Sequence, residues 1–126
     1  MLIVEDDYSL RLLYKKILDL SGFQVIGEAT NGEEAISLYK SLEEKPEIII
    51  MDHRMPIKDG LETSKELFQL NENVKIIFAS ADTSIKEKAL AIGAVAFLEK
   101  PFSCNLLVEV AEKVLKNHDN THNLNE

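Results

Sequence analysis

The chain predicts an α/β fold: a doubly wound, five-stranded parallel sheet of (βα)5 type with helices on both faces. Two observations carry this expectation. Apolar runs alternate with amphipathic segments five times along the 126 residues. The runs Leu2–Glu5, Glu47–Met51 and Lys75–Ala79 are almost continuously apolar, as strands covered on both faces must be. The other two candidate strands are Gln24–Ala29, more mixed and so nearer an edge, and Val95–Leu98.

Each helical segment has its own signals. In the first, Leu10, Leu13, Ile17 and Leu20 recur at helical spacing, and Ser21-Gly22 ends it. The second opens on Asn31 with Glu34 three residues later. The third starts at Asp59 with Glu62 in its first turn. The fourth carries a capping box from Ser84 to Glu87 and closes at Gly93. The last places Leu107, Val110, Ala111 and Val114 on one face. One domain is expected over residues 1–116. Residues 117–126 are polar and Asn-rich, which reads as a disordered tail or linker stub.

Composition narrows the function classes. Apolar residues make up 45% and charged residues 29%, ordinary for a globular domain. A net charge of −8, with 14 scattered Lys and Arg, argues against direct nucleic-acid binding. The longest apolar runs are far too short to cross a membrane. The lone cysteine, Cys104, allows no internal disulfide and fits a reducing, cytoplasmic setting.

In open parallel sheets, sites form beyond the carboxyl ends of the strands. There the sequence places Glu5-Asp6-Asp7 after strand one and Asp52 after strand three. Ser80-Ala81-Asp82 follow strand four, and Glu99-Lys100-Pro101 follow strand five. Carboxylates crowded on one rim need a cation, and oxygen-only ligands suit Mg²⁺. A lysine and a hydroxyl beside them suit phosphoryl transfer, with Asp52 as nucleophile.

These fragments resemble a family. The acidic pair after strand one, "MDHRMPIKDG" around Asp52, "FASAD" with Ser80 and "FLEKPF" with Lys100-Pro101 are similar to the CheY-like receiver domain of two-component response regulators. The likeness covers about Leu2 to Leu115 and implies the flavodoxin-like fold. It implies that Asp52 is the phosphoacceptor, taking a phosphoryl group from a phosphohistidine of a sensor histidine kinase or phosphotransfer protein. It implies Mg²⁺ held by Glu5, Asp6, Asp52 and the backbone carbonyl of Arg54, with Asp6 the main ligand and Asp7 the helix cap. Ser80 and Phe97 take the switch positions, Lys100 is the ionic partner of the phosphoryl group, and the Lys100–Pro101 bond is expected to be cis. The implied output is the fourth helix–fifth strand–fifth helix face, with Phe97, Ala94 and Ala91 available to an unknown downstream protein or a second copy. With no output domain after the last helix, a stand-alone switch that also loses its own phosphate is expected.

Two positions depart from the commonest pattern. Arg54, two beyond Asp52, and Asp82, two beyond Ser80, should overhang the site and pair across its mouth. Blander readings stand beside these. Asp52 alone could cap a turn, Ser80 could be a loop hydroxyl, and Phe97 plain core. His53 should point away from the site by strand alternation, and Cys104 reads as a small, partly buried residue. His118 and His122 lie four apart but in the polar tail. A small phosphohydrolase is disfavoured, because the position that would hold a proton-donating second aspartate holds Arg54. A binding module that works without phosphate is the other alternative. No Gly-rich loop follows strand one, which disfavours nucleotide binding.

Overall fold

The structure, a computed structural model, describes the backbone of residues 1–124 and the side chains of residues 1–116. Its elements are β1 (Leu2–Val4), α1 (Tyr8–Leu20), β2 (Gly27–Ala29), α2 (Gly32–Ser41), β3 (Ile48–Met51) and α3 (Gly60–Leu70). They continue with β4 (Lys75–Ser80), a 3-10 turn (Thr83–Ile85), α4 (Lys86–Ala91), β5 (Ala96–Glu99) and α5 (Cys104–Leu124). The five strands form one parallel sheet in the order β2-β1-β3-β4-β5. The expected disordered tail falls on the end of α5 and beyond it; the side chains of residues 117–126, His118 and His122 among them, lie outside the described residues.

Alternation along the strands divides the core in two. Leu2, Val4, Ile49, Met51, Ile76 and Phe78 face α2, α3 and α4, packing on Ala35, Tyr39, Leu67 and Ala89. Ile3, Ile48, Ile50, Ile77 and Leu98 face α1 and α5, packing on Tyr14, Leu18, Leu107 and Ala111. Both faces of β1, β3 and β4 are thus covered, which is why these runs carry no polar alternation.

Helix ends follow the polar residues that can accept orphan amides. Asp7 accepts from Leu10 N–H (3.0 Å), Asn31 from Glu34 N–H (2.8 Å) and Asp59 from Glu62 N–H (2.9 Å). The fourth helix departs from expectation. Asp82 caps the 3-10 turn ahead of it, its carboxylate accepting from Ser84 N–H at 3.1 Å and from the Ser84 hydroxyl, while α4 itself begins after Ile85 with no side-chain cap. The chain therefore turns two residues early, and only Lys86–Ala91 remains for α4.

The buried stripe of α1 also differs. Tyr14 and Leu18 are buried, with Leu10 and Ile17 half-buried, while Leu13 and Leu20 are exposed. Tyrosine was not counted among the apolar positions, so the stripe was read one step too far round. On the α4–β5–α5 face, Ala94 is buried and unavailable to a partner; Leu90, Val95 and Leu106 are exposed beside Ala91.

One loop carries strain. Lys58 N–H donates to the carbonyl of Pro56 (2.8 Å) across Ile57, whose φ is +72°. That is a γ-turn with a β-branched residue in the left-handed half of φ space, while its side chain is 73% exposed. Ile57→Gly relieves the turn and loses little burial. It should raise stability by about 1 kcal/mol, net of glycine's extra freedom when unfolded. Urea denaturation of the two proteins checks this; an unchanged or lower midpoint would refute it.

Candidate functional site

The site sits at the carboxyl edge of the sheet, at the β1/β3 crevice where the strand order reverses. Ladder hydrogen bonds carry the pairing one residue past each strand. Glu5 N–H donates to Ala29 C=O (3.0 Å), Asp52 N–H to Val4 C=O (2.9 Å) and Lys100 N–H to Ser80 C=O (2.9 Å). Glu5, Asp52, Ser80 and Lys100 therefore stand side by side on rigid backbone rather than on free loops. Helix α3 closes against the same edge. Gly60 N–H donates to His53 C=O (2.9 Å), and a Cβ on Gly60 would lie 2.3 Å from the Asp52 carbonyl oxygen. Only glycine allows this approach.

Glu5 and Asp52 are 1% and 5% exposed, while Asp6 is open to solvent. One carboxylate oxygen from each of the three lies within 4.8 Å of the others. The Lys100 ammonium lies between two of them, donating to Glu5 Oε1 at 2.6 Å and Asp52 Oδ1 at 3.4 Å. Asp52 Oδ1 also accepts from His53 N–H (2.8 Å). The Lys100–Pro101 peptide is cis.

Burial is the largest influence on the Asp52 carboxyl. With the repulsion and hydrogen bond of Glu5 it outweighs the attraction of Lys100, and pushes the pKa up to about 7. For Lys100, burial alone would favour the neutral amine. The hydrogen bond to Glu5 and the charges of Asp52 and Glu5 reverse that and hold it above its ordinary value. One ammonium thus faces three carboxyl groups, an uncompensated site of hard oxygen donors. That donor set fits a Mg²⁺ ion, which takes one or two carboxylates and keeps waters.

Ser80 is 1% exposed at the end of β4, and its Oγ accepts from Asp82 N–H at 3.0 Å. Phe97 is half-buried on β5, beside Phe78 in register, with the rings stacked at 6.4 Å. Arg54 and Asp82 form an ion pair (Nη2 to Oδ2, 3.5 Å) with the arginine side chain 80% exposed. The hydrogen bonds to Ser84, with Arg54 and His53 adding to them, hold the Asp82 carboxyl below its usual range against what burial would do.

Sequence reasoning missed two neighbours. Arg11 donates to the Glu5 carbonyl (2.8 Å) and pairs with Glu28 (3.4 Å), fixing the loop after β1. Tyr14 is buried close enough to Glu5, Asp52 and Asp7 for each to disfavour its ionisation. Arginine at the first turn of α1, beside an acidic loop, was the available signal for the former. For Tyr14 there was none beyond its place on the helix. His53, set aside from the sequence, has a buried Nδ1 with no hydrogen-bond partner among the described residues; Asp59 Oδ1 is 4.0 Å away.

An acidic crevice at the β1/β3 switch point, spanned by a lysine from the end of β5, defines a class of signalling domain. The chain belongs to the response regulator receiver domain family, which it matches over residues 1–112. It is 41% identical over 118 residues to the chemotaxis protein CheY of Thermotoga maritima, covering 92% of this chain and 97% of that one. It is 38% identical to CheY of Bacillus subtilis over 117 residues, 91% and 96% of the two chains. Among solved structures, a chain of the CheX–CheY–BeF3–Mg²⁺ complex from Borrelia burgdorferi matches with a TM-score of 0.82 at 28% identity, covering 90% of this chain and 87% of that one. A CheY-like receiver from Methanospirillum hungatei, at 24% identity and a TM-score of 0.86 over 95% of each chain, shares the fold. No helix among the described residues is long and apolar enough to cross a membrane.

Proposed function

We propose that this receiver is a cytoplasmic switch that takes a phosphoryl group onto Asp52 from the phosphohistidine of a sensor kinase or phosphotransfer protein. The observation that carries the reading is the Lys100 ammonium set between the buried Glu5 and Asp52 carboxylates, with Asp6 beside them. In the transfer, an Asp52 carboxylate oxygen bonds to phosphorus as the phosphorus–nitrogen bond breaks, and the electron pair returns to the imidazole. Lys100 and the backbone of this edge hold the developing charge, so positioning and neutralisation do most of the work. Asp6, Glu5, Asp52 and the Arg54 carbonyl would hold Mg²⁺, which offsets the negative charge gathered there.

Once phosphorylated, Asp52 draws in the Ser80 hydroxyl and Lys100. Phe97 then turns inward behind Ser80, and the α4–β5–α5 face changes its affinity for a downstream protein or a second copy. The exposed Leu90, Val95 and Leu106 give that face its apolar contacts. The test is incubation with acetyl phosphate and Mg²⁺ followed by intact mass. The wild type should gain one phosphoryl group and Asp52→Asn none. No gain in either would favour a binding module that works without phosphate.

The Arg54–Asp82 pair supplies the clock. Spanning the mouth, it obstructs the water that would attack phosphorus opposite the Asp52 oxygen and release inorganic phosphate. Arg54→Ala should shorten the phosphoryl lifetime severalfold, read by following loss of the phosphorylated mass after the donor is removed. An unchanged lifetime would rule the pair out as a shield.

A further inference from the structure

The acidic turn Glu5-Asp6-Asp7 is held by a cation that pairs with none of its carboxylates. The β1–β2 ladder ends where Glu5 N–H donates to Ala29 C=O at 3.0 Å. The next polar group along the backbone, the Glu5 carbonyl, accepts from Arg11 Nη1 at 2.8 Å. Arg11 reaches it from the first turn of α1, with 13% of its side chain exposed. Its Nε lies 3.4 Å from Glu28 Oε1 on β2, and the Tyr8 ring lies over the guanidinium at 5.6 Å. These other contacts aim the rigid, planar fork at the carbonyl. The Glu5 carbonyl and the Asp6 amide belong to one peptide plane. A fixed carbonyl therefore fixes the entry to Asp6, whose own side chain stands in solvent.

On the reading of this edge as a Mg²⁺ site, we propose that Arg11 is the positioning residue that sets its affinity for Mg²⁺ and its preference for Mg²⁺ over Ca²⁺. Mg²⁺ demands near-ideal octahedral geometry at short distances, whereas Ca²⁺ accepts longer and less regular ligation. Asp6 meets that demand only if the turn presents it in one way, because Asp52 and the Arg54 carbonyl come from another strand and cannot follow it. The Glu5 carboxylate is already tied to Lys100 at 2.6 Å and to Asp7 N–H at 3.2 Å. The backbone at the Glu5 carbonyl is then where the turn could still pivot, and that is the point Arg11 holds. Charge alone works in the other direction. Arg11 is a cation close to a cation site, so through its charge it repels Mg²⁺, and a purely electrostatic role would make its removal tighten binding. The two roles differ in sign.

The test is titration of the unphosphorylated full chain with magnesium chloride and, separately, calcium chloride, followed by the backbone amide shifts of Asp6, Asp7 and Arg54. Arg11→Met keeps an apolar stem and removes the fork. It should weaken Mg²⁺ about tenfold, the usual cost of losing a partner that orients a ligand, and Ca²⁺ by no more than about twofold. Arg11→Lys keeps the charge but cannot hold Glu28 and the carbonyl together as the fork does, and should weaken Mg²⁺ about threefold. If Arg11→Met does not fold, Arg11→Lys decides alone. Unchanged Mg²⁺ affinity, tighter Mg²⁺ binding by Arg11→Met, or equal losses for the two ions would overturn the assignment while leaving the metal site in place. A wild type whose amides ignore Mg²⁺ would overturn the metal site itself, and the role of Arg11 with it.

Discussion

Lys100→Met should lower stability by about 3 kcal/mol at pH 8, because it strands buried carboxylates without their cation. Glu5 is 1% exposed and depends on the 2.6 Å contact with the ammonium; Asp52 depends on it at 3.4 Å. The lysine's folded pKa is raised. Its contribution is therefore fully present below the ordinary lysine value and is lost only as pH rises through the higher folded one. Across pH 5–9 the wild type should show no loss from this group. In the variant the deficit should shrink toward pH 5, where the Asp52 carboxyl takes up a proton. Urea denaturation at pH 5 and pH 8 measures both arms, and a loss equal at the two values would mean that the lysine acts through packing alone.

Asp52→Asn should act in the opposite direction, stabilising the protein by about 2 kcal/mol at pH 8. Burial, and then Glu5, push the Asp52 pKa from 3.8 up to about 7 in the folded state. Between those values the folded protein holds a proton that the unfolded chain has lost. Stability from this group therefore falls as pH rises through that window, and the penalty is complete above pH 7. The raw shift would correspond to about 4 kcal/mol; losing the attraction to Lys100 returns part of it. Mg²⁺ should oppose the penalty, raising the melting temperature of the wild type more at pH 8 than at pH 6, and removal by EDTA should reverse the gain. Asp52→Asn should show little of this response. A wild type whose melting temperature ignores both pH and Mg²⁺ would contradict the charge balance described here.

The fold was legible because its signals are local and repeated. Ile48 to Met51 can be a strand buried on both faces, and Asp7, Asn31 and Asp59 cap the helices whose starts they mark. The site was legible because strand ends share an edge, so Glu5, Asp52, Ser80 and Lys100 could be placed together without coordinates. Errors arose where two local signals competed. Ser84 and Asp82 can both accept the orphan amides ahead of α4, and the carboxylate, two residues earlier, is the one that does. Tyr14 and Leu18 carry the buried face of α1, where the spacing of Leu10, Leu13, Ile17 and Leu20 alone points partly to solvent. Ala94 follows the helix-ending Gly93 and packs inward, which spacing alone does not reveal.

The Asp82 residue belongs to two connections at once. Its amide is bonded to the Ser80 hydroxyl, and its carboxylate is paired with Arg54 and bonded to Ser84. A Ser80 that rotates toward Asp52 must release that amide, and the loop that carries the carboxylate is then free to shift against Arg54. On the proposed reading, signal strength and signal duration would be joined in one mechanical linkage. If so, lengthening the output at Asp82 would also alter how readily the switch is thrown, whereas the Arg54 side chain, which touches only one end of the linkage, would be the place to adjust duration alone.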